Sequence, residues 1–378
     1  MGMRFAFNLP VNLLFGSGVI EQIGEKAAAF GGRALVVTGR GSAKKSGLLD
    51  KVQRLLRAAG VQSVVFDQVE PNPTTTMVYE GLRVLREGNC GFVVGLGGGS
   101  ILDAAKAIAF AAKNEGDLMD YIYARKTPGD ALPIVLVPTT CGTGSEGNSF
   151  AVITDPVSGD KKSLRCNAVI AKLSLVDPQL MTTMPRGTLA SVGFDALCHC
   201  MEAWLSGFGQ PVSNLLALEG MRLAAASLRP LYRGSGGPAE WEQLTWASTL
   251  GGMCIGIAGI TAPHGIEHPA SGLRNIVHGR GLAALTPVIY ERSIAAAPEK
   301  FAEISRRLGG KNETDCVNVI NNLLVDIDLA VRLRDEGIKA EDIDWMAENA
   351  LKVSAAGLAN HPAPFGVEEI KAIYRAAW

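Results

Sequence analysis

The feature that most constrains this chain is a change of hydrophobic period about halfway along its 378 residues. In the first half, continuous apolar runs at 33–38 (RALVVT), 62–66 (QSVVF), 92–96 (FVVGL) and 132–137 (LPIVLV) alternate with stretches 46–59, 74–86 and 101–113, which carry apolar residues at helical spacing. Such runs suit strands buried on both faces, so the alternation predicts a doubly wound α/β domain with a parallel sheet. Ligands of that architecture sit beyond the C-terminal ends of the strands. Two further strand-like pieces, 150–154 and 164–166, flank a turn at 155–160 and predict a hairpin. Beyond residue 184 the strand signal fades, and 187–205, 212–231, 241–254, 316–333 and 368–377 read as helices. The expected organisation is an α/β domain over residues 1–183, of the kind that binds ligands at its strand ends, and an all-α domain over 184–378. The charged stretch 332–348 reads as a solvated helical surface.

Composition narrows the function classes. A formal net charge of −1 lacks the footprint of a protein that wraps nucleic acid or lies on anionic lipid. No apolar stretch approaches the ~20 residues of a membrane span. Residues 1–16 place Arg4, Asn8 and Pro10 where a secretory signal needs an uninterrupted apolar run. Seven cysteines with no C-x-x-C pair predict reduced thiols and a cytoplasmic setting. The 44 glycines ask for a specific explanation.

The literal G-x-G-x-x-G string, Gly142 to Gly147, is followed by strand-like sequence, whereas a dinucleotide fingerprint must open a helix. Gly97-Gly98-Gly99-Ser100 is the better phosphate cradle, because it follows a strand and opens the helix at 101–113. Ser100 is expected to cap that helix, with Asp103 completing a capping box. Gly39-Arg40-Gly41-Ser42 ends the first long strand, and from Arg33 to Arg57 seven basic residues face only Asp50. That corner favours a 2′-phosphate, hence NADP(H) over NAD(H), with a solvated basic helix as the alternative. Gly39, Gly41, Gly97, Gly98, Gly99, Gly142 and Gly144 are read as points where backbone approaches the dinucleotide.

Four of the five histidines, His199, His264, His268 and His278, fall in the helical half. Asp195 and His199 are spaced i, i+4 on one helix face, which suits two ligands of one divalent metal. Cys198 could also reach that face. Three imidazoles and one carboxylate leave an open position on Fe²⁺ or Zn²⁺, as Lewis-acid catalysis requires. His264-Gly265-Ile266-Glu267-His268 also matches the H-x-x-E-H metallopeptidase pattern, but Pro269 is expected to break the helix that this pattern needs.

Taken together, these segments resemble the iron-containing (group III) alcohol dehydrogenase family over nearly the whole chain. The resemblance is carried by Gly97-Gly98-Gly99-Ser100 with Asp103 and Lys106, by Pro138-Thr139-Thr140-Cys141-Gly142-Thr143-Gly144-Ser145-Glu146, and by Gly193-Phe194-Asp195-Ala196-Leu197-Cys198-His199. It continues through His264-x3-His268-Pro269 and His278-Gly279 to residues 373–378. It implies metal ligation by Asp195, His199, His264 and His278, with His268 as a proton-relay or substrate-contacting residue. Gly98, Gly99 and Ser100 would hold the pyrophosphate, with Asn72, Thr139, Thr140 and Thr143 around the rest of the cofactor and Lys162 and Leu180 lining it. NAD-preferring members tend to carry Asp where this chain has Gly39, in agreement with the charge reading. Cys141, Gly147-Asn148 and Glu267 depart from the family pattern, and Glu267 is expected to alter the charge around His268.

The implied reaction is hydride transfer between NADP(H) and a small primary alcohol or aldehyde, in a cleft between the two domains, with Fe²⁺ (or Zn²⁺) as Lewis acid. A homo-oligomer, dimer or larger, is expected, with no nucleic-acid or membrane partner. The competing readings are a glycerol-dehydrogenase-like polyol oxidoreductase of the same dehydroquinate synthase-like fold, an H-x-x-E-H zinc metallopeptidase, and a non-catalytic nucleotide or metal sensor.

Overall fold

The computed structural model describes residues 4–378; residues 1–3, the start of the segment read as lacking a secretory signal, lie outside the described residues. The chain packs as two compact units. One comprises Pro10–Thr140 and Ser145–Thr183; the other comprises Met184–Trp378, the short segment Cys141–Gly144 and the N-terminal stretch up to Leu9. Among the described residues no single helix is long and apolar enough to cross a membrane.

The first unit is built on a six-stranded sheet whose pairings are all parallel, in the order β1-β8-β5-β4-β2-β3. The four apolar runs form β2 (Arg33–Gly39), β3 (Gln62–Val69), β4 (Phe92–Gly97) and β5 (Ile134–Pro138). The two edge-side strands, β1 (Leu13–Phe15) and β8 (Leu173–Val176), escaped the sequence reading because three and four residues carry no measurable period. Alternate residues of one strand enter different cores. Leu35, Val37 and Val93 pack in one cluster, while Ala34, Val36, Val94 and Leu96 pack in the other. The strands read as continuous apolar runs because both faces are covered.

The hairpin is β6 (Phe150–Thr154) against β7 (Lys161–Arg165), antiparallel, with Thr154 opposite Lys161. The chain runs from β2 outward to β3 and then returns to place β4 on the other side of β2. The sheet's switch point therefore lies between the C-terminal ends of β2 and β4, which end in Gly39 and Gly97.

The helix after β4 spans Gly99–Ala111, starting earlier than expected. Gly98 is its N-cap residue, so Ser100 sits inside the first turn and the expected Ser100–Asp103 capping box is absent. The Asp103 carboxylate instead accepts from Ser145 Oγ at 2.7 Å and from the Val152 N–H at 2.9 Å. One turn further, the fully buried Lys106 ammonium donates to the Ser145 carbonyl (2.6 Å) and hydroxyl (2.8 Å), the Asn148 carbonyl and side-chain oxygen (3.1 Å each) and the Phe150 carbonyl (2.7 Å). Burial drives the Lys106 pKa down to about 8, while Asp103 and Glu146 oppose the fall. This cation gathers the segment from Ser145 to Phe150 onto the helix. Replacing Lys106 by Ala strands several buried acceptors and one carboxylate. We expect the variant to lose about 3–5 kcal/mol of stability, measured by urea unfolding.

The second unit is helical, as the fading strand signal predicts. Its helices include Arg186–Leu205, Pro211–Arg233, Pro238–Ala258, Ala262–Arg274, His278–Ser293, Ile343–Ala359 and Val367–Ala377. Three local expectations are corrected. The helix expected over 316–333 ends at Asp326, where Asp328 (φ 53°) takes a left-handed conformation and the Leu329 N–H turns back to the Leu324 carbonyl. The charged stretch 332–348 is not one solvated helix. It contains two short 3₁₀ turns, Leu333–Glu336 and Ala340–Asp342, separated at Gly337 (φ 89°), and Asp342 is buried against Arg274. The Ala262–Arg274 helix, third, runs straight through Pro269. Proline there removes one bond to the Gly265 carbonyl, but the run from Ala262 to Ser271 is buried, so packing holds the helix together.

Gly142 and Gly144 also have a packing role that their sequence did not show. A Cβ on Gly144 (φ 57°) would lie 2.4 Å from the Ser248 carbonyl oxygen and 2.5 Å from Gly252, and one on Gly142 would lie 2.7 Å from Val192 Cβ. These glycines let the Cys141–Gly144 segment press onto the Arg186–Leu205 and Pro238–Ala258 helices; Thr143, expected beside the cofactor, belongs to this same segment.

Candidate metal centre and cofactor cradle

Three helices of the second unit converge on one carboxylate. Arg186–Leu205 supplies Asp195 and His199, Ala262–Arg274 supplies His264 and His268, and His278 is the first residue of the next helix. Ligand atoms of Asp195, His199 and His264 lie within 4.8 Å of one another. His264 Nε2 is 3.3 Å from Asp195 Oδ1, and His278 Nε2 is 3.8 Å from the same oxygen. The His199 and His264 rings stack at 4.4 Å. Asp195, His199 and His264 are 3%, 5% and 2% exposed, so water cannot serve as their principal solvent.

Each imidazole has a partner at Nδ1, and for His199 that same nitrogen also lies 3.6 Å from Asp195 Oδ1. His199 Nδ1 lies 3.2 Å from the Gly142 carbonyl oxygen, which explains why the Cys141–Gly144 segment packs so tightly against this helix. His264 Nδ1 donates to Glu202 Oε1, and His278 Nδ1 donates to Glu267 Oε2. Glu202 also accepts from the Thr261 N–H at 2.7 Å and is fully buried. Sequence reasoning missed Glu202. Its signal was present, since it stands i+7 from Asp195 and i+3 from His199 and therefore shares their helix face.

Electrostatics follow from burial and neighbours. Burial works to raise the Asp195 carboxyl, but His199, His264 and His278 outweigh it and hold the group well below the usual carboxylate range. Burial pushes His199 down to about 4. His264, against the same burial, is pushed up to about 10 by Glu202 and Asp195. A divalent cation at Nε2 requires that nitrogen in its unprotonated form. Nitrogen and oxygen donors around one point, each ring fixed through its other nitrogen, suit Fe²⁺ or Zn²⁺. Cys198 lies outside this group, with its thiol 3.7 Å from Thr286 Oγ1 and its pKa raised by burial. The fifth histidine, His361, pairs with Ser293 instead.

His268 packs at 6.1 Å from the His264 ring and 5.7 Å from the His278 ring. With Glu267 and His278 it forms a second cluster of possible donors. Glu267 was expected to alter the charge around His268; its carboxylate lies within 4.8 Å of a His268 ring nitrogen and also engages His278 and Ser271. It is therefore not placed as a peptidase base, although the unbroken helix does carry H-x-x-E-H.

The cradle expected for the dinucleotide lies in the first unit. Gly97 (φ 156°) has no room for a side chain, since a Cβ would meet Ile101 Cδ1 at 2.2 Å. A Cβ on Gly98 would meet Thr140 Oγ1 at 3.1 Å, and the Thr139 N–H bonds to the Gly97 carbonyl at 3.0 Å. The loop thus brings Gly98, Gly99, Ser100, Thr139 and Thr140 together at a helix N-terminus beside the switch point, an arrangement that fits a pyrophosphate. Gly39 and Ser42 stand at the end of β2 with Arg40, Lys44 and Lys45 exposed. Asn72 (φ 53°) accepts from Lys161 at 2.8 Å, and the Lys162 ammonium lies 5.5 Å from the Tyr123 ring. Leu180 packs on the sheet core, and the Asp103 carboxylate is committed to Ser145 and Val152. The basic corner is less one-sided than its sequence, because Glu70 pairs with Arg40 at 2.8 Å and Glu21 with Lys51.

Comparison with known proteins agrees with this geometry. A family profile described as iron-containing alcohol dehydrogenase matches residues 10–178, and one for the C-terminal part of the Fe-containing alcohol dehydrogenase family matches residues 189–378. The chain belongs to the iron-containing alcohol dehydrogenase family, a family of metal- and NAD(P)-dependent oxidoreductases. It is 36% identical over 384 residues to the 1,3-propanediol dehydrogenase of Klebsiella pneumoniae, covering 99% of each chain. It superposes on an archaeal halo-thermophilic alcohol dehydrogenase from a Red Sea brine pool with a TM-score of 0.96, at 32% identity and 100% coverage of both. An NADH-dependent butanol dehydrogenase A from Thermotoga maritima gives a TM-score of 0.90 at 30% identity, covering 99% of this chain and 98% of that one.

Replacing His264 by Ala removes a donor and leaves Glu202 and Asp195 facing each other across the gap. The variant should lose its bound divalent metal and its turnover while retaining dinucleotide binding, measured by metal analysis and fluorescence titration. Retention of the metal would contradict the assignment.

Proposed function

We propose that the chain is a metal-dependent, NADP(H)-linked dehydrogenase of small primary alcohols that also reduces the corresponding aldehydes. The observation that carries this reading is the buried donor set of Asp195, His199 and His264, with the half-buried His278 Nε2 3.8 Å from the same Asp195 oxygen. Fe²⁺ is the proposed ion, with Zn²⁺ accepted by the same donors. Held there, the cation supplies Lewis acidity toward an alcohol or carbonyl oxygen, and the nicotinamide carries the hydride.

The remaining work belongs to the side chains. Asp195 and the histidine Nε2 atoms fix the ion, and Glu202 with the Gly142 carbonyl fixes the rings. The loop Gly97-Gly98-Gly99, with Ser100, Thr139 and Thr140, seats the pyrophosphate, while Asn72, Thr143, Lys162 and Leu180 surround the rest of the cofactor. His268 takes the hydroxyl proton at a ring nitrogen during oxidation and returns it during reduction. Its replacement by Ala should lower kcat by about 10²–10⁴-fold with the metal retained, as read by steady-state kinetics beside metal analysis.

NADP(H) preference rests on Gly39 and on the exposed Arg40, Lys44 and Lys45; the Arg40–Glu70 pair works against it. The butanol dehydrogenase relative is named for NADH, so this choice needs its own test. A panel of short aldehydes and diols, assayed with NADPH and NADH on metal-loaded enzyme, should give the higher kcat/KM with NADPH. Preference for NADH would overturn the cofactor choice, and absence of turnover on every substrate would overturn the reaction. A Cβ at Gly39 meets Ile101 Cδ1 and the Val69 carbonyl at 3.3 Å each, tight but admissible with a small shift. Gly39→Asp should therefore fold and place a carboxylate against the 2′-phosphate. We expect NADPH kcat/KM to fall at least about tenfold relative to NADH.

A further inference from the structure

We infer that Glu267 is a positioning residue for the metal centre, fixing the tautomer and rotamer of His278 so that Nε2 faces Asp195. This inference rests on the metal-site reading above and extends it to a residue that the ligand set does not include.

His278 is the donor with the least support from packing. Its side chain is 23% exposed, against 3–6% for those of Asp195, His199 and His264. It opens a helix directly after the left-handed turn at Asn275 and the exposed Val277, so the chain there does little to restrain the ring. Glu267, one full helix turn past His264, is completely buried. Its Oε2 accepts from His278 Nδ1 and, at 3.1 Å, from Ser271 Oγ. An imidazole that donates through Nδ1 must present its lone pair at Nε2, and that atom lies 3.8 Å from Asp195 Oδ1.

A second, independent feature shows that the chain makes room for this carboxylate. A Cβ at Gly281, on the first turn of the His278–Ser293 helix, would lie 2.8 Å from both Glu267 Cγ and Glu267 Oε1. The absent side chain at Gly281 lets the carboxylate settle against a helix N-terminus, where the backbone dipole favours an anion. Glu267 and Gly281 act as a pair, one supplying the charge and the other the space.

The test is metal affinity, measured by chelator competition on the purified full-length protein with Zn²⁺ as the probe. It is read beside histidine tautomers from ¹⁵N-histidine-labelled Zn²⁺ protein. Glu267→Ala should weaken Zn²⁺ binding about 10- to 100-fold, the usual cost of removing such a partner. It should also broaden or split the His278 Nδ1 signal while leaving those of His199 and His264 in place. Glu267→Gln, whose amide oxygen can still accept from Nδ1, should recover most of the affinity. Gly281→Ala should weaken Zn²⁺ binding in the native background by displacing Glu267, and should have no effect when added to Glu267→Ala. This second pair keeps the inference testable if Glu267→Ala folds poorly.

Unchanged affinity in Glu267→Ala, or additive effects of the two substitutions, would overturn the positioning role while leaving the metal site standing. A second equivalent of Zn²⁺ that disappears in Glu267→Gln would also overturn it, making Glu267 a ligand of its own ion in the cluster with His268. Failure of the native protein itself to bind Zn²⁺ would instead remove the metal-site reading on which the inference depends.

Discussion

The structure of the helical unit turns on one buried anion. Asp195 is nearly sealed from water, and a carboxylate in such a place needs positive charge close by. The sequence surrounds it with three imidazoles from three helices, then backs two of those imidazoles with further buried carboxylates, Glu202 and Glu267. Two of the three rings thus sit between carboxylates. The arrangement concentrates more negative charge than the histidines alone balance, and a divalent cation at the Nε2 atoms resolves that excess. Burial, ring orientation and the packing of Gly142 and Gly144 beneath His199 together make this donor set rigid.

The α/β unit solves a different problem with different means. The turn proposed to seat the pyrophosphate presents backbone rather than side chains at its tip, with Gly97 and Gly98 beside Thr140. The adjoining segment is anchored by the buried Lys106, whose ammonium gathers the Ser145, Asn148 and Phe150 acceptors onto the helix that starts at Gly99. One long side chain thereby ties the hairpin connection to the helix that follows the Gly97-Gly98 turn. Asn148 is part of that anchor through both its carbonyl and its side-chain oxygen.

Much of this was legible in the sequence because the signals were long or doubly constrained. β2, β4 and β5 are buried on both faces, so they appear as unbroken apolar runs, and the Asp195–His199 pair carries helical spacing. The misses have common causes. β1 and β8 are too short to show a period. Pro269 argued for a helix break because local propensity is visible in sequence, whereas the surrounding burial that overrides it is not. The packing role of Gly142 and Gly144 stayed hidden because their neighbours, Val192, Ser248 and Gly252, are distant in sequence. The same limit hid Glu267 as a partner of His278, because a charged residue between two histidines looks like a change in the pocket until its partner is located.

The central claim is that Asp195 and three histidines hold a single catalytic divalent ion. Anomalous diffraction at the iron edge, from crystals of Fe²⁺-loaded protein grown without oxygen, tests it most directly. The account predicts one peak, at about 2.0–2.2 Å from an Asp195 oxygen and from Nε2 of His199, His264 and His278. A peak seated on Glu267 and His268, or no peak at Asp195 in protein that turns over alcohol, would contradict it.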